Sequence, residues 1–356
     1  MALKDILLVT FPVDLGNRTL ESNQQSIFST DMDFFRFAEK HAMDVDRGGV
    51  GFFKSMKYRI RSAFALRRIV RKYTKAGKTI LFNGLSPALF SYGVWKPEQT
   101  AIVFDWTRTL YTSVSGMPID NNWIFKLHRN VLRNCPTFLC WTDAIMKNLI
   151  EVYGIKSSAL FKVPAPFLVE KIDIPPRPTP LKPRVLFVGG DLKRKGGDVL
   201  LKAWNESLRD LCSLSMMTND RAANIDGIQF LPGIRYGSDI HKKTFEDHDI
   251  LILPARMDAY PQVIGEAAAA GLAVITTKNA LGAKEVIVDG ITGYIADTPE
   301  GSILRLKELL LNKPLIDEFK RNGYTLMHKR FAKDIIRSGY LDVLSGKTLP
   351  SGPLPH

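Results

Sequence analysis

The sequence of 356 residues lacks the features of membrane-spanning and exported proteins. No apolar run approaches the roughly 20 residues that a helix needs to cross a bilayer. The N-terminus enters an apolar, strand-like run directly after Met1–Asp5, without the charged, apolar and small-residue sections of a secretion signal. We therefore expect a cytoplasmic protein, either free or peripheral on the inner face of the membrane.

Cysteine is scarce, since the chain has three cysteines, Cys135, Cys140 and Cys212. Three thiols cannot all pair with one another, and their spacing is not that of metal ligands. This usage fits a reducing compartment and predicts three buried thiols rather than a redox or metal site.

Acidic residues are absent between Arg47 and Lys96. Residues 1–171 carry 24 basic and 14 acidic side chains, against 25 and 22 in the remainder, so nearly all of the net charge of +13 lies in this half. The cations that crowd the acid-free segment are Lys54, Lys57, Arg59, Arg61, Arg67, Arg68, Arg71, Lys72, Lys75 and Lys78. Such an imbalance favours an anionic partner.

Short apolar runs alternate with helical stretches along both halves of the chain, which is the pattern of parallel α/β sheets. The length suffices for two domains with a core each. Five prolines between Lys171 and Pro183 favour a stiff, extended connection. We predict an α/β fold with a domain over residues 1–171, a Pro-rich linker over 172–183, a domain over 184–333, and a C-terminal helix and tail over 334–356 with the option of packing back on the first domain.

The strands that this pattern predicts are Ile6–Phe11, Thr79–Phe82, Ala101–Phe104, Thr137–Trp141, Arg184–Val188, Ser213–Met217, Ile250–Leu253 and Ala273–Thr277. A loop is expected from the end of the sixth strand to Gly233, and a frayed tail over Thr348–His356. Parallel α/β sheets bind ligands at the carboxyl ends of their strands, so the loops there are the places to look for a site.

The first such loop, over residues 185–198 (VLFVGGDLKRKGGD), runs from a strand through glycines and cations into a helix. Gly189 and Gly190 let the backbone approach phosphate oxygens, and a helix start offers unpaired N–H groups. Arg194 and Lys195 can neutralise the remaining charge, so the loop suits a diphosphate. The alternative is an ordinary exposed loop whose cations are solvated.

The second loop, over residues 258–266 (DAYPQVIGE), sets Asp258 and Glu266 eight residues apart across a turn and a helix start, with Gly265 beside the second acid. A carboxylate accepts paired hydrogen bonds from a vicinal diol, so one acid can hold a ribose and the other sugar hydroxyls. The alternative makes Glu266 an exposed helix residue and Asp258 a turn former.

The third segment places small and polar residues after a buried strand, over residues 276–285 (TTKNALGAKE), and then a turn over residues 289–294 (DGITGY). Small residues let a diphosphate lie on backbone amides. The turn around Gly293 is expected to be structural.

Together these segments resemble the family 4 glycosyltransferases, the glycosyl transferases group 1 of GT-B fold. The resemblance lies in the strand-Gly-Gly with RKGG over Arg194–Gly197, the acid-seven-acid element with Gly271, and the loop with Glu285 and the DGxTG turn. It implies two Rossmann-like parallel-sheet domains facing a central cleft.

The resemblance also implies roles for individual residues. Lys195 would contact the donor diphosphate, Glu266 the nucleotide ribose, and Asp258 the region of the transferred sugar. Asp258 departs from the glutamate of most members and is shorter by one methylene. Gly190 stands where many members have an arginine, which leaves Arg194 and Lys195 to supply the positive charge.

The N-terminal half matches the family less well. Its glycine-rich first loop is reduced to residues 14–18 (DLGNR), where Gly16 is the matching donor-site position. Asn83–Phe90 and Phe104–Thr107 follow predicted strands and resemble acceptor-side loops. Asp105 replaces the histidine that often follows the second strand, and it could orient or deprotonate the acceptor hydroxyl. A capping or turn role is the alternative.

The family resemblance implies a retaining transfer without a bound metal or other cofactor, from a UDP- or GDP-linked sugar to a glycan or lipid-linked acceptor in cell-surface polysaccharide or glycolipid synthesis. The sequence offers no acid cluster of the DxD kind beside the phosphate loop, and no residue stands out as a covalent nucleophile. Cations and helix N-termini would stabilise the leaving diphosphate, and the acceptor hydroxyl would attack from the front face.

The basic stretch Phe52–Lys78 has apolar residues at helical spacing, with cations over much of its remaining surface. The apolar positions are Phe53, Met56, Ile60, Ala63 and Phe64. Through Lys54–Lys78 it could lie on an anionic membrane, or its apolar side could pack on the N-terminal sheet. It shows no recognisable nucleic-acid-binding module, and no nucleic-acid partner is expected.

Two other functions are compatible with the same sequence. One is a nucleotide-sugar epimerase of the same fold. The other is a GT-B-shaped scaffold that binds a membrane or a partner without turnover. A product that keeps its sugar on the nucleotide would identify the first, and a failure to bind or hydrolyse any nucleotide sugar would identify the second.

Overall fold

A computed structural model of the chain describes residues 4–11, 15–37, 52–115, 123–169, 176–219 and 225–346. The chain divides into two compact units, Met1–Pro166 with Lys333–His356 and Phe167–Ala332, called the first and the second unit below. The expected tail Thr348–His356 and residues 172–175 of the expected linker lie outside the described residues.

Both units are α/β structures. The strands are β1 Ile6–Thr10, β2 Met32–Arg36, β3 Thr79–Asn83, β4 Thr100–Phe104, β5 Thr137–Cys140, β6 Leu160–Lys162, β7 Arg184–Val188, β8 Ser213–Met217, β9 Ile228–Phe230, β10 Ile250–Leu253, β11 Ala273–Thr277 and β12 Gly293–Ala296. The helices are α1 Leu15–Phe28, α2 Phe52–Lys75, α3 Leu85–Phe90, α4 Arg108–Ser115, α5 Trp123–Arg133, α6 Asp143–Glu151, α7 Gly197–Ala203, α8 Asp239–Glu246, α9 Gln262–Ala269, α10 Ala283–Val286, α11 Pro299–Leu310, α12 Lys313–Arg330 and α13 Lys333–Leu344.

Each unit contains a six-stranded parallel sheet, which confirms the predicted fold class. The strand order is β2-β1-β3-β4-β5-β6 in the first unit and β12-β11-β10-β7-β8-β9 in the second. Central strands such as β1, β4 and β10 are buried along their whole length, because helices cover both faces of a parallel sheet.

The sequence pattern located the central strands to within one or two residues but missed β2, β6, β9 and β12. All four lie at the edges of the sheets. Most residues of β2, β6 and β9 are partly exposed, β6 and β9 have only three residues, and β12 begins with a glycine. These edge strands therefore lack the continuous apolar run that predicts a strand buried on both faces.

The C-terminal helix α13 packs within the first unit. Tyr340 is fully buried, and its hydroxyl accepts a hydrogen bond from Trp141 Nε1 at 2.7 Å. Arg337 holds Asp31 through two hydrogen bonds of 2.6 Å each. These contacts join α13 to the turn between α1 and β2 and to the residue that follows β5.

Helix α2 uses a different apolar face from the one read in the sequence. Leu66, Val70 and Tyr73 are buried in the core of the first unit. Ile60 and Phe64, assigned to the packing face under one interpretation, are instead 49% and 70% exposed. The side chains of residues 52–59 lie outside the described ones.

The three cysteines are buried, as predicted. Burial raises the pKa of Cys135 and of Cys212 to about 12 and raises that of Cys140 as well. Thiols with such pKa values stay protonated at neutral pH and are poor nucleophiles. Within the described residues, no helix has the length and apolar character needed to span a membrane.

Candidate functional site

Three loops of the second unit leave the same edge of its sheet. Strands β7, β10 and β11 are neighbours and run parallel, so the loops that follow them start side by side. The three loops cover residues 189–196, 254–261 and 278–282. Each overlaps one of the three segments that the sequence analysis proposed for ligand binding. The carboxyl edge of the sheet therefore collects the predicted donor-site residues of this unit.

Hydrogen bonds to backbone carbonyls tie the three loops together. Arg256 N–H donates to the Arg194 carbonyl at 2.9 Å, and Arg194 Nη1 donates to the Met257 carbonyl at 3.1 Å. Asp258 N–H donates to the Asn279 carbonyl at 3.0 Å, and its own carbonyl accepts from Leu281 N–H at 3.0 Å. These hydrogen bonds hold the three loops against one another, which fixes the spacing of the side chains that the loops carry.

Gly196 makes the contact between the first two loops possible. Its φ is +76°, in the left-handed region, and a Cβ atom there would lie 1.8 Å from the Pro254 carbonyl oxygen. Only glycine allows this conformation and this approach without strain. The RKGG segment thereby places Lys195 next to the loop that carries Asp258.

Two cations converge on Asp258. Lys195 Nζ pairs with Asp258 Oδ2, and Arg194 Nη1 lies 3.7 Å from the same oxygen. The side chains of Lys195 and Asp258 are 14% and 12% exposed, whereas that of Arg194 is 38% exposed. Partial shielding from water strengthens the interaction of such charges with an anionic ligand.

Glu266 lies on α9 close to this charge cluster. Burial raises the pKa of its carboxyl group to about 7, and the positive charge of Lys195 partly opposes that rise. The side chain is 14% exposed. The structure therefore brings Arg194, Lys195, Asp258 and Glu266 together within one unit.

The glycines that the sequence proposed for the site differ in their surroundings. Gly189 is buried, and a Cβ there would lie 3.0 Å from Lys195 Cγ. Gly190 is exposed. Gly265 is buried, and a Cβ would lie 2.3 Å from the Phe167 ring, so its small size lets α9 pack closely.

The third segment forms a support for the second loop. A Cβ at Gly282 would lie 2.5 Å from the Tyr260 ring, and Glu285 is buried on α10. The DGxTG turn is held by Asp289, whose Oδ1 accepts from Ile295 N–H at 2.8 Å. A Cβ at Gly293 would lie 2.2 Å from the Val274 carbonyl oxygen, so this glycine has the structural role expected of it.

The sequence of the second unit matches a known family over most of its length. Residues 182–312 match the model described as glycosyl transferases group 1. The matched range contains all three loops. No curated protein sequence matches the chain.

Solved structures resemble the chain over nearly its whole length. HepE from Anabaena, in complex with UDP and glucose, has a TM-score of 0.70 at 13% identity, covering 97% of this chain and 100% of that one. Sucrose-phosphate synthase from Thermosynechococcus elongatus has a TM-score of 0.72 at 13% identity, covering 96% and 98%. A glycosyltransferase from Rickettsia africae ESF-5 has a TM-score of 0.67 at 14% identity, covering 98% and 99%. At these identities the likeness concerns the fold, which is the GT-B fold.

The chain is a glycosyltransferase. Its glycosyl transferases group 1 domain contains Lys195, Asp258 and Glu266. Within the described residues, no group of three or more His, Cys, Asp or Glu side chains has the arrangement of a metal site.

Two predicted site residues of the glycosyltransferase lie in the first unit. Gly16 is the second residue of α1 and so belongs to a helix rather than to the loop that was expected; Asp14 lies outside the described residues. Asp105 directly follows β4 and is half-buried. Burial, and to a lesser degree the charge of Asp105, raises the pKa of Tyr340.

The acceptor-side segment Asn83–Phe90 also differs from its expected loop structure, because α3 occupies most of it. Asn83 ends β3, and its Nδ2 donates to Gln24 Oε1 at 3.4 Å. Nearby on the same sheet, Thr10 Oγ1 donates to Glu21 Oε1 at 2.7 Å. Glu21 and Gln24 are buried polar side chains of α1. They belong to no recognised motif, so the sequence did not indicate them.

Sequence reasoning also missed His241, which lies on α8. Its Nε2 is 3.8 Å from Glu266 Oε2, and burial lowers the pKa of its imidazole. A histidine 25 positions before a glutamate has no sequence signal that links the two, since only the tertiary structure brings their side chains to this distance.

Proposed function

We propose that the chain is a family 4 glycosyltransferase that moves a sugar from a nucleotide-sugar donor to a hydroxyl of a glycan or lipid-linked acceptor. The observation that carries the proposal is the cluster of Arg194, Lys195, Asp258 and Glu266 at the carboxyl edge of the second sheet. The two cations can neutralise the charge of a diphosphate. The two carboxylates can accept hydrogen bonds from the hydroxyls of the ribose and of the transferred sugar.

Each residue of the cluster has one role in the proposal. Lys195 and Arg194 bind the diphosphate, and a lysine ammonium has three N–H donors, enough for Asp258 and a phosphate oxygen together. Glu266 accepts hydrogen bonds from the ribose diol, and Asp258 from hydroxyls of the transferred sugar. As negative charge grows on the leaving diphosphate, the two cations stabilise it.

The stereochemical course belongs to the same proposal. We expect retention, with front-face attack by the acceptor hydroxyl, no metal ion and no other cofactor. Asp105, after β4 of the first unit, is proposed to orient the acceptor hydroxyl. The donor is UDP- or GDP-linked, and the presence of UDP and glucose in the HepE structure makes UDP-glucose the first compound to test.

A donor screen tests the proposal directly. A nucleotide sugar that binds the folded protein stabilises it by mass action, by about 2.7 kcal/mol at a ligand concentration one hundred times Kd. Its melting temperature therefore rises. We expect such a shift with one of the UDP-, GDP- or ADP-sugars and slow hydrolysis of the same compound, both weakened in Glu266→Ala. Absence of binding and hydrolysis for every donor would overturn the proposal, and a product with its sugar still on the nucleotide would show an epimerase instead.

We propose further that α2 lies on an anionic membrane surface. Ile60 and Phe64 are exposed on this helix beside the exposed cations Arg61, Arg68 and Arg71. The opposite face is already buried, so the exposed apolar side chains are not needed for packing. Basic residues near such a surface contribute about 1 kcal/mol each.

A second helix of the first unit has a similar exposed surface. On α5, Trp123 is 72% and Leu127 is 41% exposed, and Lys126 lies between them. Tryptophan is enriched at the boundary between lipid and water. A location at such a surface would bring the chain to a lipid-linked acceptor, as the proposed role in cell-surface polysaccharide or glycolipid synthesis requires.

Vesicle binding tests the membrane proposal. Replacing the exposed cations Arg61, Arg68, Arg71 and Lys72 by serine should lower binding to phosphatidylserine vesicles and leave donor hydrolysis unchanged. Arg67 is kept, because its Nη1 donates to the Tyr92 carbonyl at 2.8 Å. The matched control replaces four exposed cations of the second unit, Lys202, Lys243, Arg321 and Lys329. Equal binding by the two variants would overturn the proposal.

A further inference from the structure

The guanidinium group of Arg256, in the loop after β10, contacts the loop after β7 and the start of α7. Its Nη1 donates to the Lys193 carbonyl at 2.5 Å and to Asp198 Oδ1 at 2.6 Å, and its Nη2 donates to Asp198 Oδ2 at 2.9 Å. The backbone N–H of Arg256 donates to the Arg194 carbonyl at 2.9 Å. One residue of the second loop therefore holds the chain on both sides of Lys195.

The fork shape of the guanidinium group suits this set of acceptors. Two of its N–H groups bind the two carboxylate oxygens of Asp198, and the second hydrogen of Nη1 binds the Lys193 carbonyl. Burial alone would raise the pKa of Asp198, but the hydrogen bond and the charge of Arg256 outweigh it and hold the pKa below its usual value. Asp198 is therefore an anion at neutral pH, and the charge of Arg256 is paired with it.

The side chain of Lys195 has little room to adjust if its backbone moves. A Cβ atom at Gly189 would lie 3.0 Å from Lys195 Cγ and 3.1 Å from Lys195 Cβ, so the lysine stem packs directly on the glycine that follows β7. At the other end of the side chain, Nζ pairs with Asp258. The position of the ammonium group therefore depends on how the first loop is held against the second.

We propose that Arg256, anchored by Asp198, is a positioning residue that holds the ammonium group of Lys195 where the diphosphate of the donor binds. The inference rests on the proposed function, because it needs the diphosphate that Lys195 is proposed to bind. Arg256 and Asp258 stand two residues apart, so one loop supplies the partner of the ammonium group and also fixes the backbone that carries it. A misplacement of about 1 Å can cost on the order of 100-fold in rate, so this contact affects turnover.

A double-mutant cycle between Arg256 and Lys195 tests the inference. We would measure by calorimetry the Kd of UDP and of GDP for the natural chain, and then the Kd of the tighter ligand for Arg256→Ala, Lys195→Ala and the double variant. Lys195→Ala should raise Kd by about 10- to 100-fold, since it removes a charge-assisted hydrogen bond. Arg256→Ala should raise Kd by about tenfold in the natural chain but by less than about twofold when Lys195 is already alanine, because residues that act through one another are not additive.

Two results of this cycle would overturn the inference. In the first, Arg256→Ala weakens binding by the same factor with and without the Lys195 ammonium group, so the arginine acts on the nucleotide independently or supports the fold in general. In the second, Arg256→Ala binds the nucleotide as the natural chain does. The four residues of the candidate site would keep their proposed roles in both cases.

Two further variants separate positioning from a simple effect of charge. Asp198→Ala removes a negative charge near the diphosphate, so a purely electrostatic effect would make binding tighter. Loss of the anchor of Arg256 should instead raise Kd by about tenfold. Arg256→Lys keeps the charge but has no fork to hold the Lys193 carbonyl and both carboxylate oxygens, so its Kd should stay at least about threefold above the natural value. Tighter binding by Asp198→Ala, or natural affinity in Arg256→Lys, would contradict positioning.

The matched control is Arg305→Ala. Arg305 Nη1 pairs with Glu308 Oε2 at 2.8 Å, an exposed arginine–carboxylate pair on α11 rather than in a loop of the site, and its loss should leave Kd unchanged. A loss as large as in Arg256→Ala would reduce the effect to general destabilisation and overturn the inference. Arg256 and Asp198 are partly exposed, so neither substitution leaves a buried charge without its partner. A natural chain that binds neither UDP nor GDP would overturn the proposed function itself.

Discussion

Lys195 affects two carboxyl groups of the candidate site, those of Asp258 and Glu266. Lys195 pairs with Asp258, and its charge also opposes the rise in the pKa of Glu266 that burial causes. A single cation therefore acts on both carboxylates of the site. Its removal affects phosphate binding and the ionisation of Glu266 together.

Lys195→Ala should lower kcat by about 100- to 1000-fold, the range observed when one donor that stabilises a developing anion is lost. Steady-state kinetics with the donor found by the screen would measure it. Lys193→Ala is the control, because Lys193 is an exposed cation of the same loop. Equal rates in the two variants would contradict the role given to Lys195.

The raised pKa of Glu266 predicts how the free energy of unfolding depends on pH. Its pKa is about 7 in the folded chain, against an ordinary value of 4.5, so the folded state holds an extra proton between these values. The stabilisation is complete below about pH 4.5 and is lost as the pH rises through about 7, with a total on the order of 3 kcal/mol.

Glu266→Gln removes this dependence because an amide does not titrate. Relative to the natural chain, the variant should gain free energy of unfolding as the pH is raised from about 4.5 to about 8. Urea unfolding of both proteins at several pH values would measure the difference. A constant difference across this range would show that Glu266 has an ordinary pKa.

At the scale of elements, the site depends on loops that touch rather than on loops that merely start side by side. The parallel order of β7, β10 and β11 could be expected from the alternation of strands and helices, and so could the edge at which their loops emerge. The contact between Gly196 and Pro254 could not, because it depends on how far each loop folds back over the sheet.

Gly196→Ala should separate the first loop from the second. The added Cβ would lie 1.8 Å from a carbonyl oxygen, and the φ of +76° would cost a further 1 to 3 kcal/mol, roughly, for any other residue. Nucleotide binding and stability should both fall, as measured by calorimetry and urea unfolding. Gly233→Ala is the control, since its φ is +71° but its Cβ would meet nothing within 4 Å; a loss no larger than in that variant would contradict the steric argument.

Helix α2 is the element for which the sequence left two interpretations open. The helical period of its apolar residues is genuine, but the helix has two apolar faces. Leu66, Val70 and Tyr73 face the core, whereas Ile60 and Phe64 remain exposed. A periodicity argument identifies a helix and cannot choose between two faces of comparable size.

At the scale of the whole molecule, a buried charge network joins the chain at three distant positions. Asp249 is fully buried before β10 and accepts hydrogen bonds from Arg184 N–H at 2.9 Å and from Lys320 Nζ at 3.1 Å. Burial alone would raise the pKa of Asp249, but the hydrogen bonds of Arg184 and the charge of Lys320 outweigh it and hold the pKa below its usual value. The network fixes α12 to the start of β7 and β10.

Asp249→Ala should destabilise the chain by about 3 to 5 kcal/mol, because it leaves Lys320 buried without its carboxylate. Urea unfolding would measure the change. Asp247→Ala is the control, since its pair with Arg177, at 3.6 Å, is between side chains that are 49% and 38% exposed and should be worth about 1 kcal/mol or less. Similar losses in both variants would show that burial does not set the cost.

The sequence by itself determined the central strands, the α/β class and the three loops of the second unit. These features depend on local chemistry, namely continuous apolar runs between turn formers, and glycines and charges at strand ends. Arg194, Lys195, Asp258 and Glu266 could be chosen as a set for the same reason. Each lies in a loop, or in the short helix that follows it, whose position in the sheet follows from its strand.

Only the tertiary structure decided the features that join distant parts of the chain. The edge strands β2, β6, β9 and β12 became visible only beside their partners, because hydrogen bonding to a neighbour defines them more than their own composition does. The approach of His241 to Glu266, the burial of Asp249 with Lys320, and the packing of α13 in the first unit have the same origin. Sequence spacing carries no information about such pairs, since the folding of the elements between them sets the distance.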